Sequence, residues 1–218
     1  VKVAFGFPDT YELGMNNLAM KIFYNEFSKD SSIAFERTFL PFQDMMEIMS
    51  KMSIPLFTLE SFSPVKEFDI FAITLPAELS YLNALKMIEL TGIPLLRKER
   101  KKTPILMAGG PAVSNPVPLF PFFDIIFCGE GDHIFKKIVD IYKENDECSF
   151  YKKIEGIDGV IIPKFYEITE KGGLKIPKGK TVNIAKNNKF HIERPIDEVL
   201  IPISSITESR HEIEIMRG

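Results

Sequence analysis

The chain has 218 residues, 45% of them hydrophobic, and a formal net charge of −3. That is enough for one good core, or for an α/β domain of about 150 residues with something smaller attached, and the slight negative charge gives no global attraction to nucleic acid. No apolar window reaches the roughly 18 residues that a membrane span requires, and no charged-then-apolar leader opens the sequence, so a cytoplasmic protein without a membrane partner is expected.

VKVAFGF, residues 1–7, has the β-branched content and length of a buried strand. Met15, Leu18, Ala19, Ile22, Phe23 and Phe27 follow at three-to-four spacing, which predicts an amphipathic helix. IAFERTFLP is a second strand, and DMMEIMSKM a second helix ended by Ser53 and Pro55. FDIFAITLP is a third strand leading to a helix with Leu82, Leu85, Met87 and Ile88, stopped by Thr91-Gly92 and Pro94. PILMAGG and FFDIIFCG supply strands four and five, and a last helix carries Ile134, Phe135, Ile138, Ile141 and Tyr142 on one side. Strands apolar along their whole length, separated by helices, predict a parallel sheet covered on both faces. The fold class is therefore α/β, a flavodoxin-like or Rossmann-like three-layer sandwich with a five-stranded parallel sheet in the order 2-1-3-4-5 and right-handed crossovers.

Composition shifts after Glu147, where glycines and prolines accumulate and no long helical period survives. The α/β domain is expected over residues 1–147 and a small β-rich connector over 148–203. Within the connector KFYEITEKGGLKIP predicts a hairpin turning at Lys171-Gly172-Gly173. Residues 204–218, ending RHEIEIMRG, alternate as a strand beginning does, so the sequence reads as a fragment cut at a domain boundary.

In an open parallel sheet, ligands sit at the carboxyl ends of the strands, where loops diverge and helix N-termini point their free amides. Four loops share that edge, and they nominate the candidate cofactor-binding residues. The first supplies Pro8, Asp9, Thr10, Tyr11 and Gly14, and the second Pro76 and Glu78. The third, AGGPAVSNP, supplies Gly109, Gly110, Pro111 and Asn115, its two glycines letting a backbone approach a ligand closely. The fourth, CGEGD, supplies Gly129, Glu130 and Gly131. Carboxylates there repel a phosphate but accept hydrogen bonds from ribose hydroxyls or amide groups; a capped helix start, with Asp132 at the positive end of the dipole, is the competing explanation. There is no GxGxxG, no GxxxxGK[ST] and no GxSxG, which disfavours a dinucleotide fold, a P-loop and a nucleophile elbow. His133 has no identified partner, and a solvated or capping role is expected for it. Cys128, Cys148 and three scattered histidines give neither a disulfide framework nor metal-ligand spacing, so no metal ligand is assigned, and no catalytic residue.

In this order FPDTYELGMNNLAMKIFY, PFQDMMEIMSKMSIPLFTLES, FDIFAITLPAELSYLNALKMIELTGIPL, AGGPAVSNPVPLFPFFD and CGEGD resemble the amino-terminal part of a family of radical S-adenosylmethionine proteins with a cobalamin-binding-like first domain. The resemblance extends to EIEIMRG at the end of the sequence. It implies that a Cys-x3-Cys-x2-Cys motif follows, holding a 4Fe-4S cluster and S-adenosylmethionine on a partial barrel that begins within 204–218. Cys128 and Cys148 do not match that motif. The implied role of these residues is to cap the barrel and shape a substrate or second-cofactor site, without catalysis of their own and with an unknown substrate. Cobalamin is the candidate cofactor that the resemblance brings. Many cobalamin proteins present a histidine to cobalt from an Asp-x-His-x-x-Gly loop, whereas Asp9-x-Tyr11-x-x-Gly14 places a phenol there, a poor neutral ligand.

Two alternatives stand beside this reading. One is an RNA- or protein-binding module comparable to the first domain of the methylthiotransferases, for which RKERKK, residues 97–102, and exposed aromatics of PLFPFFD have to line one face. The other is a purely structural cap whose Glu78, Asn83 and Glu130 serve interdomain hydrogen bonds.

Overall fold

The computed structural model describes residues 1–101, 104–131 and 133–179. β1 (Lys2–Phe7), β2 (Ala34–Phe39), β3 (Ile70–Thr74), β4 (Ile105–Gly109) and β5 (Ile125–Phe127) form a parallel sheet in the predicted order, β2-β1-β3-β4-β5. Their burial explains why parallel pairing wins: alternate residues of each strand enter two different cores. Val3, Phe5, Ile70, Ala72, Ile105, Met107 and Phe127 pack on one face. Ala4, Phe71, Ile73, Leu106, Ala108 and Ile126 pack on the other.

The first face is covered by α2 (Leu18–Ser28) and α5 (Ile134–Glu144), joined by α6 (Glu147–Ile154). Phe27 of α2 is fully buried, stacked on Phe35 at 4.7 Å and edge-on to Phe135 at 5.1 Å. Burying a side chain of that size contributes about 2–3 kcal/mol. The second face is covered by α4 (Tyr81–Leu90), through Ala84, Met87 and Ile88, together with Leu56, Val65 and Leu119 from the connecting segments. α3 (Gln43–Met52) follows β2, ends at Ser53 in the left-handed region with φ 55°, and buries Met49 alone.

The α/β unit continues past residue 147, where composition suggested that it ends. Asp146 caps α6 by accepting from the amides of Cys148 at 3.0 Å and Ser149 at 3.1 Å, and Phe150 and Ile154 are fully buried in the first core. The chain then adds a sixth strand, β6 (Val160–Ile161), antiparallel to β5. The predicted hairpin is β7 (Tyr166–Lys171) with β8 (Leu174–Gly179), antiparallel, with Gly172 and Gly173 at the turn. Residues 180–218, which hold the rest of the expected connector and the expected barrel start, lie outside the described residues.

The outer edge of β2 is covered by an irregular segment: the Leu59 amide donates to the Arg37 carbonyl at 2.9 Å, and the Thr38 hydroxyl to the Phe57 carbonyl at 2.9 Å. Arg37 is buried there, its Nε 2.6 Å from Glu60 and its guanidinium over the Tyr24 ring. Among the described residues no helix is long and apolar enough to cross a membrane.

Candidate functional site

At the carboxyl ends of the strands the sheet parts from α2 and α5 and leaves a cleft of about 520 Å³. Its floor is Phe5, Ala72, Met107 and Phe127, and its helical walls are Leu18, Ile22 and Phe23 of α2 and Phe135 of α5. Phe5, Phe23 and Phe135 form one aromatic cluster, with Phe23 edge-on to Phe5 at 5.4 Å and to Phe135 at 5.2 Å. The rim is polar and backbone-rich: Thr74 and Pro76 after β3, Gly109 to Pro111 and Ser114 after β4, and Gly129 to Gly131 after β5.

The rim after β4 owes its shape to Gly110. Its φ is 104°, and a Cβ there would lie 2.7 Å from the Leu75 carbonyl oxygen and 3.0 Å from the Leu75 amide nitrogen. The tight apposition is held by the Leu75 amide donating to the Gly109 carbonyl at 2.7 Å and the Ala112 amide to the Leu75 carbonyl at 3.1 Å. Tyr81, at the start of α4, donates its hydroxyl to the Ala112 carbonyl at 2.7 Å. Burial, with smaller contributions from the charges of Glu78 and Cys128, pushes the Tyr81 phenol above its ordinary value. Cys128 is buried and donates its thiol to the Val113 carbonyl at 3.0 Å.

Of the residues nominated from sequence, Pro76, Gly109, Gly110, Pro111, Gly129, Glu130 and Gly131 line the cleft, whereas Pro8, Asp9, Thr10, Tyr11, Gly14, Glu78 and Asn115 do not. The first loop is instead a packed corner. Asp9 Oδ1 accepts from the Thr10 amide at 2.8 Å, and its carbonyl accepts from the Leu40 amide at 3.0 Å. Asn83 Nδ2 donates to the Pro8 carbonyl at 3.0 Å. Tyr11 opens a single helical turn, α1 (Tyr11–Gly14), with its ring edge-on to Phe39 at 5.3 Å. Gly14 lies so close to that ring that a Cβ would meet Phe39 at 2.3 Å. Glu78 and Asn115 are exposed outside the cleft.

Sequence reasoning missed Thr74 and Ser114 on the rim and the whole helical wall. Leu18, Ile22 and Phe23 carry the same three-to-four spacing as ordinary core residues, so no chemical signal separates them. His133, for which a solvated or capping role is expected, stands at the N-cap position of α5 with φ 59° and places Nδ1 3.1 Å from Glu26 Oε1. Asp132 lies outside the described residues.

Within the basic run Lys98 and Lys101 are exposed and Lys102 lies outside the described residues, while Arg100 is turned inward. The Arg100 side chain is 4% exposed; it donates to the carbonyls of Leu95 at 2.9 Å and Phe122 at 2.5 Å and meets Asp124 at 3.1 Å. Burial raises the Asp124 carboxyl, and Arg100 and the Leu106 amide pull it back. In PLFPFFD, Phe120 and Phe123 are buried and Phe122 is half-buried against the second core, so those rings are not an exposed surface. Among the described residues no group of three His, Cys, Asp or Glu side chains could hold a metal ion.

A parallel α/β sheet with an aromatic cleft at its carboxyl edge is a ligand-holding scaffold shared by many families. The family is set by comparison: residues 19–163 match the family described as radical SAM proteins, N-terminal, and the chain belongs to it. A relative from Methanocaldococcus jannaschii, Uncharacterized protein MJ0966, is 30% identical over 167 residues. That match takes in 74% of this chain and 32% of the relative, so the chain spans about a third of the relative's length. No solved structure matches the chain.

Proposed function

We propose that this chain is the accessory domain of a radical S-adenosylmethionine iron–sulfur enzyme, non-catalytic by itself, whose cleft holds a flat, uncharged portion of a substrate or second cofactor for the domain that follows. The observation that carries this reading is the family match over residues 19–163, which takes in most of the residues lining the cleft, though not Phe5 of β1 or Leu18. A 4Fe-4S cluster and S-adenosylmethionine would supply the radical chemistry in the following domain. Cys128, with its thiol directed to the Val113 carbonyl, and the exposed Cys148 do not fit a cluster site.

The cleft suits a planar group. Rings pack against Phe23 and Phe135, the Gly109–Gly110 backbone admits close approach, and Glu130 at the rim accepts a hydrogen bond from a hydroxyl or amide while repelling phosphate. Cobalamin fits only in part. The loop that corresponds to a cobalt-ligating loop spends Tyr11 on Phe39 and its backbone on Asn83 and Leu40, so it offers no side chain to the metal. The cleft can still take a flat part of a corrinoid whose cobalt has no protein ligand.

The test uses the full-length polypeptide, reconstituted anaerobically with iron and sulfide. One cluster per chain with reductive cleavage of S-adenosylmethionine is the expected result; absence of both from the full-length protein overturns the reading. Titration of the 218-residue chain with hydroxocobalamin, followed by visible spectrum and binding heat, addresses the cleft. Saturable binding lost in Phe23→Ala supports a corrinoid there, and a flat titration removes cobalamin from the candidates for this cleft.

A further inference from the structure

The carboxyl edge of the sheet has a second half, away from the cleft, and its chemistry is different. It is built on the three neighbouring strands β2, β1 and β3. After β1 stands Leu13 in α1, after β2 stand Phe42 and Met45 at the start of α3, and after β3 stand Leu79 and Leu82 at the start of α4. These segments are stitched side by side: the Asp9 carbonyl accepts from Leu40, the Pro8 carbonyl accepts from Asn83, and Gly14 lies against Phe39. Adjacent strands are about 4.8 Å apart, so the three loops share one surface.

That surface is apolar and open. Leu79 is 93% exposed, Leu82 77% and Phe42 61%, with Leu13 and Met45 also exposed. α3 extends it, because Phe42, Met45, Ile48 and Met52 recur at helical spacing on the same apolar face as Met49, and of these five only Met49 is buried. An amphipathic helix whose apolar stripe is left largely in solvent lacks the partner that such a stripe is made to meet, and an exposed apolar area of this kind marks an interaction surface.

We infer that this ledge is the seat of the next domain of the same polypeptide, an inference that rests on the accessory-domain reading above. The occupant is named by the length of protein outside the match: the family is an N-terminal domain, and the M. jannaschii relative is matched over 32% of its length. The domain that follows docks an apolar face on Leu79, Leu82, Leu13 and the first turn of α3, beside the mouth of the cleft.

The experiment places a photoreactive benzoylphenylalanine in the full-length protein at Leu82, at Met45, or at Lys66, an exposed control just before β3 on the opposite edge. After irradiation, cross-links are mapped by peptide mass spectrometry, and the same preparations are assayed for iron and sulfide. Cross-links from positions 82 and 45 to residues beyond 218 of the same chain, absent from position 66, are the expected result. Cross-links between two copies overturn the inference in favour of self-association, and no cross-links from 82 and 45 overturn it outright. If the cluster is present and the cross-links are missing, docking fails while the accessory-domain reading stands; if the cluster is missing, that reading fails regardless of the cross-links.

Discussion

The two halves of the carboxyl edge are made from the same kind of loop, a short connection leaving a buried parallel strand, yet they end in opposite states. After β4 and β5 the loops stand apart from α2 and α5, and the space between them is a cleft walled by Phe23 and Phe135. After β1 the loop folds into a helical turn and is closed by Tyr11 on Phe39, by Asn83 and by Leu40. With Tyr11 facing inward against Phe39, this loop is a packed corner and not part of the cleft rim. A motif's position along the chain therefore does not fix its job; the neighbour that its side chain meets does.

The contrast can be broken from the cleft side first. Gly110→Ala forces a Cβ against the Leu75 carbonyl at a left-handed φ, and a loss of about 2 kcal/mol is expected in urea unfolding, together with weakened ligand binding as the rim shifts. On the corner side, Tyr11→Ala removes the edge-on contact with Phe39 and is expected to cost about 1 kcal/mol by the same measurement, while leaving any ligand titration of the cleft unchanged. A change in that titration would mean that the corner takes part in binding.

The smallest effect tests how the cleft's two helices are held. Asp30, just after α2, accepts from Ser32 and meets Lys136 of α5 at 3.1 Å, and Lys136 is shared with Asp140. The Ser32 hydroxyl and amide, followed by Lys136, hold the Asp30 carboxyl well below the ordinary carboxylate range. A depressed folded value means that the stabilisation is present above the unfolded value and is lost as pH falls toward the folded one. Asp30→Asn is therefore expected to lower Tm slightly at neutral pH, with the gap to the parent shrinking below about pH 4. A gap that is constant with pH would assign the effect to packing instead of charge.

Much of this architecture could be read from residues alone. Runs such as FDIFAITLP are apolar on both faces, and only a parallel strand between two helical layers satisfies such a run; the β2-β1-β3-β4-β5 order and the β7–β8 hairpin follow the expectation. α6 and β6 escaped because they have eight and two residues, too short for periodicity to register, even though Asp146 with Phe150 and Ile154 carried a capping and burial signal. The glycine-rich rim of the cleft was legible because close backbone approach needs particular residues. Its helical wall was not, because Phe23 lining a cleft and Phe27 filling a core look alike in one dimension. Arg100 shows a related limit: a run of charges signals solvent on average, and only the carbonyls of Leu95 and Phe122 show that this member is buried.

The treatment of the sheet's two lateral borders has a consequence for behaviour at high concentration. On one border residues 57–59 already occupy hydrogen-bonding groups of β2, and on the other the sheet stops at a two-residue antiparallel strand. Among the described residues neither border of this sheet offers a long unpaired ladder for an incoming chain to copy, which disfavours strand-by-strand growth into fibrils from these two borders.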